Sequence, residues 1–237
     1  MGDQINTIIQ EAEHLARKGK YDDALSRLDS GGNALSTNQS ALYIKAVCQR
    51  GKNNRGEALE TLKTLLKINP NHVRSYQEIG HIHVASKNAD KAIQGYAEAV
   101  RLDPAMISSW RPLVTLYRMV GNTANERLAE QRVRELETFP EPLLAVKSAL
   151  NQNNLEKADH ICRDFLKNDK QNVEALRLLA EIANRAKIID DAEFFLESAV
   201  TFEPDHVGVR FDLANTLLKR QKFEAADKVA NDLVIDY

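Results

Sequence analysis

The sequence predicts an all-α protein, a solenoid of about seven stacked helical hairpins. Alanine residues recur at a fixed interval of 34 residues, which indicates an internal repeat. Apolar residues follow helical spacing around these alanines, and turn-forming clusters such as "RKGKYDDA" and "ASKNADKA" separate the apolar stretches. Ten glycines, six prolines and 6% aromatic residues in 237 are typical of a helix-rich chain.

The alanine interval sets the register of the repeats. The alanines fall in two series, Ala24, Ala58, Ala92 and Ala158, Ala192, Ala226. The second series is shifted by two residues relative to the first, and one weaker repeat lies between them. We therefore expect one array over residues 5–237, with repeats near 5–38, 39–72, 73–106, 107–138, 139–172, 173–206 and 207–237. The prolines of "FPEP" leave the register of the fifth repeat open.

The clearest repeat is "VRSYQEIGHIHVASKNADKAIQGYAEAVRLDP", which begins at Val73, here position 1. It has a small residue, Gly80, at position 8, Ala92 at position 20 and Pro104 at position 32. This pattern resembles the tetratricopeptide repeat, a helical hairpin with small residues at the helix crossing and a proline closing the second helix. The resemblance extends over nearly the whole chain and implies a right-handed α-solenoid. The fourth repeat departs from it, with Glu126 at position 20.

A pair of histidines, His81 and His83 in "IGHIHVA", has the spacing of some metal-binding pairs. On a helix, residues two apart point about 200° from each other, so the two rings cannot share one ion. We expect His83 to pack inward at position 11 and His81 to face the groove at position 9. No phosphate loop, nucleophile motif or Cys-x-x-Cys pair occurs. The sequence therefore predicts no catalytic residue, metal site or cofactor in this segment.

Composition limits the classes of partner and the cellular location. The 32 basic and 34 acidic residues give a net charge of -2, which provides no general attraction to nucleic acid or to anionic membranes. No apolar run has the length of a membrane span. Two cysteines far apart, Cys48 and Cys162, argue against a disulfide framework and favour a reducing cytoplasm. We expect a cytoplasmic protein without nucleic acid or membrane as partner; its oligomeric state is not predicted.

The first helix of each hairpin is expected to line a concave groove. If positions 4, 7, 8 and 11 pack inward, positions 2, 5, 9, 12 and 13 form the opposite stripe. The basic residues there are Arg17, Arg50, Arg74, Arg111, Arg118, Lys147, Arg177, Arg185 and Lys219, and the acidic ones are Glu13, Glu174 and Glu181. This excess predicts either a positive groove or a merely solvated face. The candidate peptide-groove residues are Arg74, Gln77, His81, Arg111, Arg118, Lys147, Arg177, Asn184, Arg185, Asn215 and Lys219.

The favoured function is a non-catalytic scaffold that binds an extended, partly acidic peptide or protein segment in this groove. The alternative is the N-terminal recruiting region of a larger bacterial enzyme. Residues 75–118 and 175–218 resemble the repeat arrays that precede a sulfotransferase domain, and such a domain would lie beyond Tyr237. Leu233 and Val234 would be uncovered at the end of the array, which suggests a continuing chain or a partner there. RNA binding is disfavoured by the near-zero net charge.

Overall fold

The computed structural model describes the backbone of residues 2–235 and the side chains of residues 4–231. Within this range the regular structure is helical throughout. The helices are α1 Gly2–Arg17, α2 Tyr21–Asp29, α3 Gln39–Gly51, α4 Arg55–Ile68, α5 Val73–Ala85, α6 Ala89–Leu102, α7 Ile107–Met119, α8 Thr123–Glu137, α9 Glu141–Asn151, α10 Leu155–Asn168, α11 Val173–Arg185, α12 Ile189–Phe202, α13 Val207–Lys219 and α14 Phe223–Ile235. A short 3-10 helix, Gly32–Leu35, follows α2. The predicted all-α fold of seven hairpins is confirmed.

The chain divides into two compact units, Met1–Arg134 and Glu135–Tyr237. In the N-terminal unit the first helices α1, α3 and α5 contact one another in sequence, and each also packs on its own second helix. In the C-terminal unit α9, α11 and α13 do the same. Each unit therefore has a layer of first helices beside second helices, as in an α-solenoid. That all seven repeats form one array stays a prediction.

The alanines that set the register are all buried, with at most 3% of their surface exposed. In the fifth repeat, Val146 and Ala158, which a start near residue 139 places at positions 8 and 20, are both fully buried. Its first helix, α9, begins only at Glu141 and has 11 residues, whereas α11 has 13. Pro140 precedes it in an extended conformation, which delays the start of the helix. The two-residue shift of the alanines is therefore accommodated by a shorter helix.

Helices α5 and α6 cross at close range where two glycines meet. A Cβ atom added at Gly80 would lie 2.8 Å from the Tyr96 ring. A Cβ atom added at Gly95 would lie 2.7 Å from the backbone nitrogen of Gly80 and 3.0 Å from the carbonyl oxygen of Tyr76. The predicted role of Gly80 as a crossing residue is confirmed. Gly95, which the repeat pattern did not indicate, allows an even closer backbone approach.

Hydrogen bonds from position 4 connect successive repeats. Tyr76 donates its hydroxyl to the carbonyl oxygen of Pro70 at 3.0 Å, and the Trp110 indole nitrogen donates to that of Pro104 at 3.0 Å. Arg210 donates from its Nε to the carbonyl oxygen of Pro204. In each case the acceptor is the position-32 proline of the preceding repeat, two residues after its second helix ends. The prolines thus end a helix and accept a bond from the next repeat.

The turn between the two helices of every hairpin contains one residue with positive φ, always at position 15. These residues are Gly19, Asn53, Lys87, Gly121, Asn153, Lys187 and Gln221, with φ between 55° and 74°. Glycine and asparagine adopt this left-handed conformation at low cost. Lysine and glutamine do so less readily, so three of the seven turns carry a conformational cost.

None of the helices within residues 2–235 is long and apolar enough to cross a membrane. The side chains of Leu233 and Val234, expected to be uncovered at the end of the last helix, lie outside the described residues.

Candidate functional site

His81 and His83 both lie on α5, as the helical interpretation of this stretch required. The Nδ1 atom of His81 lies 2.7 Å from the Tyr96 hydroxyl, and the two rings meet edge to face at 5.4 Å. Tyr96 is on α6 of the same hairpin and only 1% exposed. Burial lowers the pKa of His81, so the neutral ring can accept a hydrogen bond that the Tyr96 hydroxyl donates. The sequence did not indicate this contact, which holds the half-buried ring of His81 against α6. That His81 faces a groove stays a prediction.

The C-terminal unit contains a cleft of about 730 Å³ lined by residues of α9, α11 and α13. We call it the C-terminal cleft. Six of the predicted groove residues line it: Lys147, Arg177, Asn184, Arg185, Asn215 and Lys219. They occupy positions 5, 9, 12 and 13 of successive first helices, as the predicted stripe requires. The structure thus brings together residues that are up to 72 positions apart in sequence.

Two cations of the C-terminal cleft are paired with acidic residues of the same unit. Arg177 donates from Nε to Asp212 at 2.7 Å and lies 3.2 Å from Glu174. Arg185 lies 2.5 Å from Glu181 and also donates to the carbonyl oxygen of Leu150 at 2.6 Å. Salt bridges of this partly exposed kind are worth only about 0–1 kcal/mol each, but they fix the orientation of both guanidinium groups.

The cleft is less basic than predicted because position 6 also faces it. Asp212 occupies this position, so together with Glu174 and Glu181 the lining of the cleft contains three carboxylates and four cations. The prediction placed position 6 in neither stripe, since it lies at the border of the helical face. The sequence contained an indication of this ion pair. Asp212 follows Arg177 by 35 residues, which is close to one repeat length and therefore places the two residues on adjacent first helices.

The cleft also presents polar groups whose hydrogen-bonding capacity is not fully used within the described residues. Asn215 is half-exposed, and its amide forms no hydrogen bond with other residues of the described range. Lys147 lies 3.4 Å from the centre of the Phe139 ring and makes no ion pair there with a described carboxylate. Burial lowers the pKa of Lys147. Lys219 donates to the Asn184 oxygen at 3.2 Å and keeps two donor positions. These groups can bind carbonyl and carboxylate oxygens of a ligand.

A second cleft, of about 460 Å³, lies in the N-terminal unit across α1, α3 and α5. We call it the N-terminal cleft. Its apolar lining consists of Ile9, Ala16, Ile44 and Val47. Tyr43 lies among them with its ring centre 5.5 Å from that of His72, and burial raises the pKa of Tyr43 to about 12. This cleft is more apolar in its lining residues than the C-terminal one.

The charged residues of the N-terminal cleft are mostly paired. Glu13 lies 2.6 Å from Arg17, and the nearly buried Glu78 lies 2.5 Å from Arg50. Arg74 is exposed and forms no ion pair with the described residues. Of the predicted groove residues, Arg74 is the member that the structure places here.

The remaining predicted residues line neither cleft. Gln77 donates to the Ser108 hydroxyl at 2.8 Å and so connects α5 with α7. Arg118 lies 2.6 Å from Glu126 and 2.9 Å from Glu130, both on α8. Glu126, which interrupts the alanine pattern, is thus the partner of a groove-stripe arginine. Arg111 is exposed on α7 and interacts within the protein.

No group of three or more His, Cys, Asp or Glu side chains in the described part of the chain has the arrangement of a metal site. The two cysteines are unpaired and buried. Burial raises the pKa of Cys48 to about 11 and that of Cys162 to about 12, so neither thiol is activated.

Family comparison agrees with the repeat pattern. Models described as tetratricopeptide repeat match residues 40–72, 73–106 and 143–207, which together are more than half of the chain. The chain belongs to the tetratricopeptide repeat family. Repeats of this family are typical of protein–protein interaction scaffolds. All three matches are to the repeat, and they lend no support to a link with a sulfotransferase.

Solved structures with the same fold share little sequence with this chain. PilF of Pseudomonas aeruginosa is 17% identical with a TM-score of 0.52, over 94% of this chain and 98% of that one. A tetratricopeptide repeat protein from Parabacteroides merdae is 14% identical with a TM-score of 0.50, over 98% and 92%. A chain of the Naa15/Naa10 structure bound to HypK-THB is 20% identical with a TM-score of 0.51.

The alignment with the Naa15/Naa10 chain covers 98% of this chain but only 36% of that one, so this chain spans about a third of its length. A search of curated protein sequences finds no match. At these identities the likeness establishes the fold alone.

Proposed function

We propose that this chain is a non-catalytic scaffold that binds an extended peptide or protein segment along the first helices of its repeats. The observation that supports this most directly is the shared layout of the two clefts. Each crosses three successive first helices, and each is lined mainly by positions 2, 5, 9, 12 and 13. A surface formed by the same positions of consecutive repeats suits a ligand that runs across the helices.

Binding in the C-terminal cleft would depend on polar groups that still have free hydrogen-bond donors or acceptors. An extended segment has backbone carbonyl and amide groups that need partners, and the free amide of Asn215 can serve both. Acidic side chains of the segment would meet Lys147 and Lys219. Arg177 and Arg185 would contribute less than their number suggests, because a ligand carboxylate has to displace Asp212 or Glu181. The proposed ligand is therefore of mixed polarity with some acidic character.

The test begins with affinity capture on the purified chain and identification of the bound protein. The dissociation constant of the purified partner is then measured for the wild type and for a variant with Asn215→Ala and Lys219→Gln. We expect the double change to weaken binding by about tenfold or more, since two directed polar contacts are lost. The matched control is Glu197→Gln on the exposed face of α12. If the double variant binds the partner as tightly as the wild type does, the C-terminal cleft is not the binding surface.

The cytoplasmic location remains part of the proposal, and it is supported by two buried cysteines that form no disulfide. A role as the recruiting region of a larger enzyme concerns residues beyond Tyr237, and no observation in this structure favours it.

A further inference from the structure

The N-terminal cleft differs from the C-terminal one in chemistry, and this difference indicates what it would bind. Its wall of Ile9, Ala16, Ile44 and Val47 presents apolar surface in a cleft of about 460 Å³. That volume is in the range of pockets that hold small ligands. Burying an aliphatic side chain against such a wall is favourable by about 25 cal/mol per Å² of apolar surface. The cleft therefore suits an aliphatic side chain of a partner.

Two polar groups at the same cleft have no partner in the described range. The Tyr43 hydroxyl forms no hydrogen bond there, although burial is the largest cause of its raised pKa. Arg74, close enough to affect the pKa of Tyr43, forms no ion pair. A phenol hydroxyl and a guanidinium are both donors, and together they match one carboxylate. These two donors therefore indicate that the ligand carries an acidic group beside its aliphatic side chain.

The other charges of the cleft limit the ligand to one such acid. Arg17 is paired with Glu13, and Glu78 is paired with Arg50, so Arg74 is the unpaired cation among the described lining residues. Glu13 and Glu78 would repel a second negative charge, since like charges at close range are unfavourable. A strongly acidic segment is therefore a poorer match than a segment with a single carboxylate.

We propose that the N-terminal cleft selects an extended internal segment in which an aliphatic side chain is followed, two residues later, by aspartate or glutamate. The spacing follows from the extended chain, in which alternate side chains point to the same side. The source is an internal side chain rather than a terminal carboxylate, because a segment that crosses α1, α3 and α5 continues past the cleft at both ends. This inference rests on the proposed binding along the first helices, and it names the ligand chemistry of one cleft.

The test uses capped synthetic peptides and the full chain labelled with ¹⁵N. The probe is acetyl-Gly-Ser-Leu-Ser-Glu-Ser-Gly-amide. Matched peptides replace Glu by Gln, replace Leu by Ser, or end in a free carboxylate directly after Leu. Dissociation constants and the location of binding are read from amide chemical shift changes. The protein variants are Arg74→Gln, at an exposed position, and Lys219→Gln in the other cleft as a control.

The expected result is that the Leu-Ser-Glu peptide binds about tenfold more tightly than its Gln counterpart, because one charge-assisted contact is lost. Shift changes centre on Tyr43 and Val47. Arg74→Gln reduces the tenfold preference to less than about twofold, and Lys219→Gln leaves it unchanged.

Four results would overturn the inference. Equal binding of the Glu and Gln peptides, or shift changes confined to the C-terminal cleft, removes the assigned chemistry and leaves the scaffold function intact. A preference for the free carboxylate assigns the cleft to chain ends instead. Absence of binding by all four peptides at millimolar concentration, together with failure of the Asn215 and Lys219 double variant to affect partner binding, removes both proposals.

Discussion

Replacing Gly95 by alanine tests how closely α5 and α6 must approach. The added Cβ atom would lie 2.7 Å from the nitrogen of Gly80, 3.0 Å from its Cα and 3.0 Å from the carbonyl oxygen of Tyr76. All three are backbone atoms, so no side-chain rotation can relieve the contact. The helices would have to separate by roughly half an ångström, at a site where cores tolerate little change in volume.

Two effects of opposite sign decide the magnitude. Overpacking of a close-packed core costs about 1–3 kcal/mol. Alanine is more favourable than glycine inside a helix by about 1 kcal/mol, which offsets part of this cost. Separation also loosens the packing around Tyr96, which is 1% exposed. We expect Gly95→Ala to lower the free energy of unfolding by about 1–2 kcal/mol, measured by urea denaturation.

Gly56→Ala is the matched control. Gly56 lies in α4, and a Cβ atom added there would meet nothing within 4 Å. The control should keep the stability of the wild type or raise it by up to about 1 kcal/mol. If Gly95→Ala is as stable as Gly56→Ala, the close crossing does not constrain the fold and the argument from backbone contact is refuted.

Three further predictions concern a turn, a thiol and a buried carboxylate. Lys187→Gly should raise the free energy of unfolding by about 0.5–1 kcal/mol in thermal or urea unfolding, because φ of 63° is unfavourable for lysine. Cys162, whose pKa burial raises to about 12, should resist a thiol reagent at pH 8 in the folded protein and react at once in urea. Burial alone would raise the pKa of Glu193, but hydrogen bonds from Lys222 and Arg220 hold it below its ordinary value. The contribution of Glu193 to the free energy of unfolding is therefore present above the unfolded pKa of about 4.3 and is lost as the pH falls through the folded pKa. Glu193→Gln should lower the free energy of unfolding by about 1–3 kcal/mol at pH 7, and it should make that free energy less dependent on pH in the acidic range.

Each of these has an outcome that contradicts it. Asn153→Gly, at an equivalent turn where asparagine already tolerates positive φ, should change stability less than Lys187→Gly, and the reverse order would refute the conformational argument. Rapid labelling of native Cys162 would show that the C-terminal unit opens locally. An unchanged acid limb in Glu193→Gln would mean that the carboxylate is not paired in solution.

The repeat register was predictable because it depends on local helix packing, which recurs at every hairpin. The buried positions of Ala24 and Ala158 followed from spacing alone. The contacts that the sequence did not indicate are tertiary ones. His81 contacts Tyr96 of the neighbouring helix, and Asp212 lines the C-terminal cleft from a position at the edge of the helical face.

Counting charges along the predicted stripe indicates which charged side chains share a helical face. It does not indicate which of them form ion pairs with acids elsewhere in the protein. Arg118 shows this difference, because its partner Glu126 stands where the repeat pattern has alanine. The acid that departs from the repeat consensus is thus paired with an arginine of the first helix in the same hairpin, and the charge of either residue has to be interpreted together with the other.

At the three junctions where it occurs, the bond from position 4 to the proline carbonyl of the preceding repeat does not depend on one residue type. A phenol, an indole and a guanidinium all supply it, so the requirement is a donor at the end of a long side chain and not a particular residue. Repeats joined in this way can diverge in sequence, or be exchanged for one another, without redesign of the surfaces where they meet. On α5 and α13 the cleft residues occupy other positions than the donor, so they can vary with the ligand without loss of this bond.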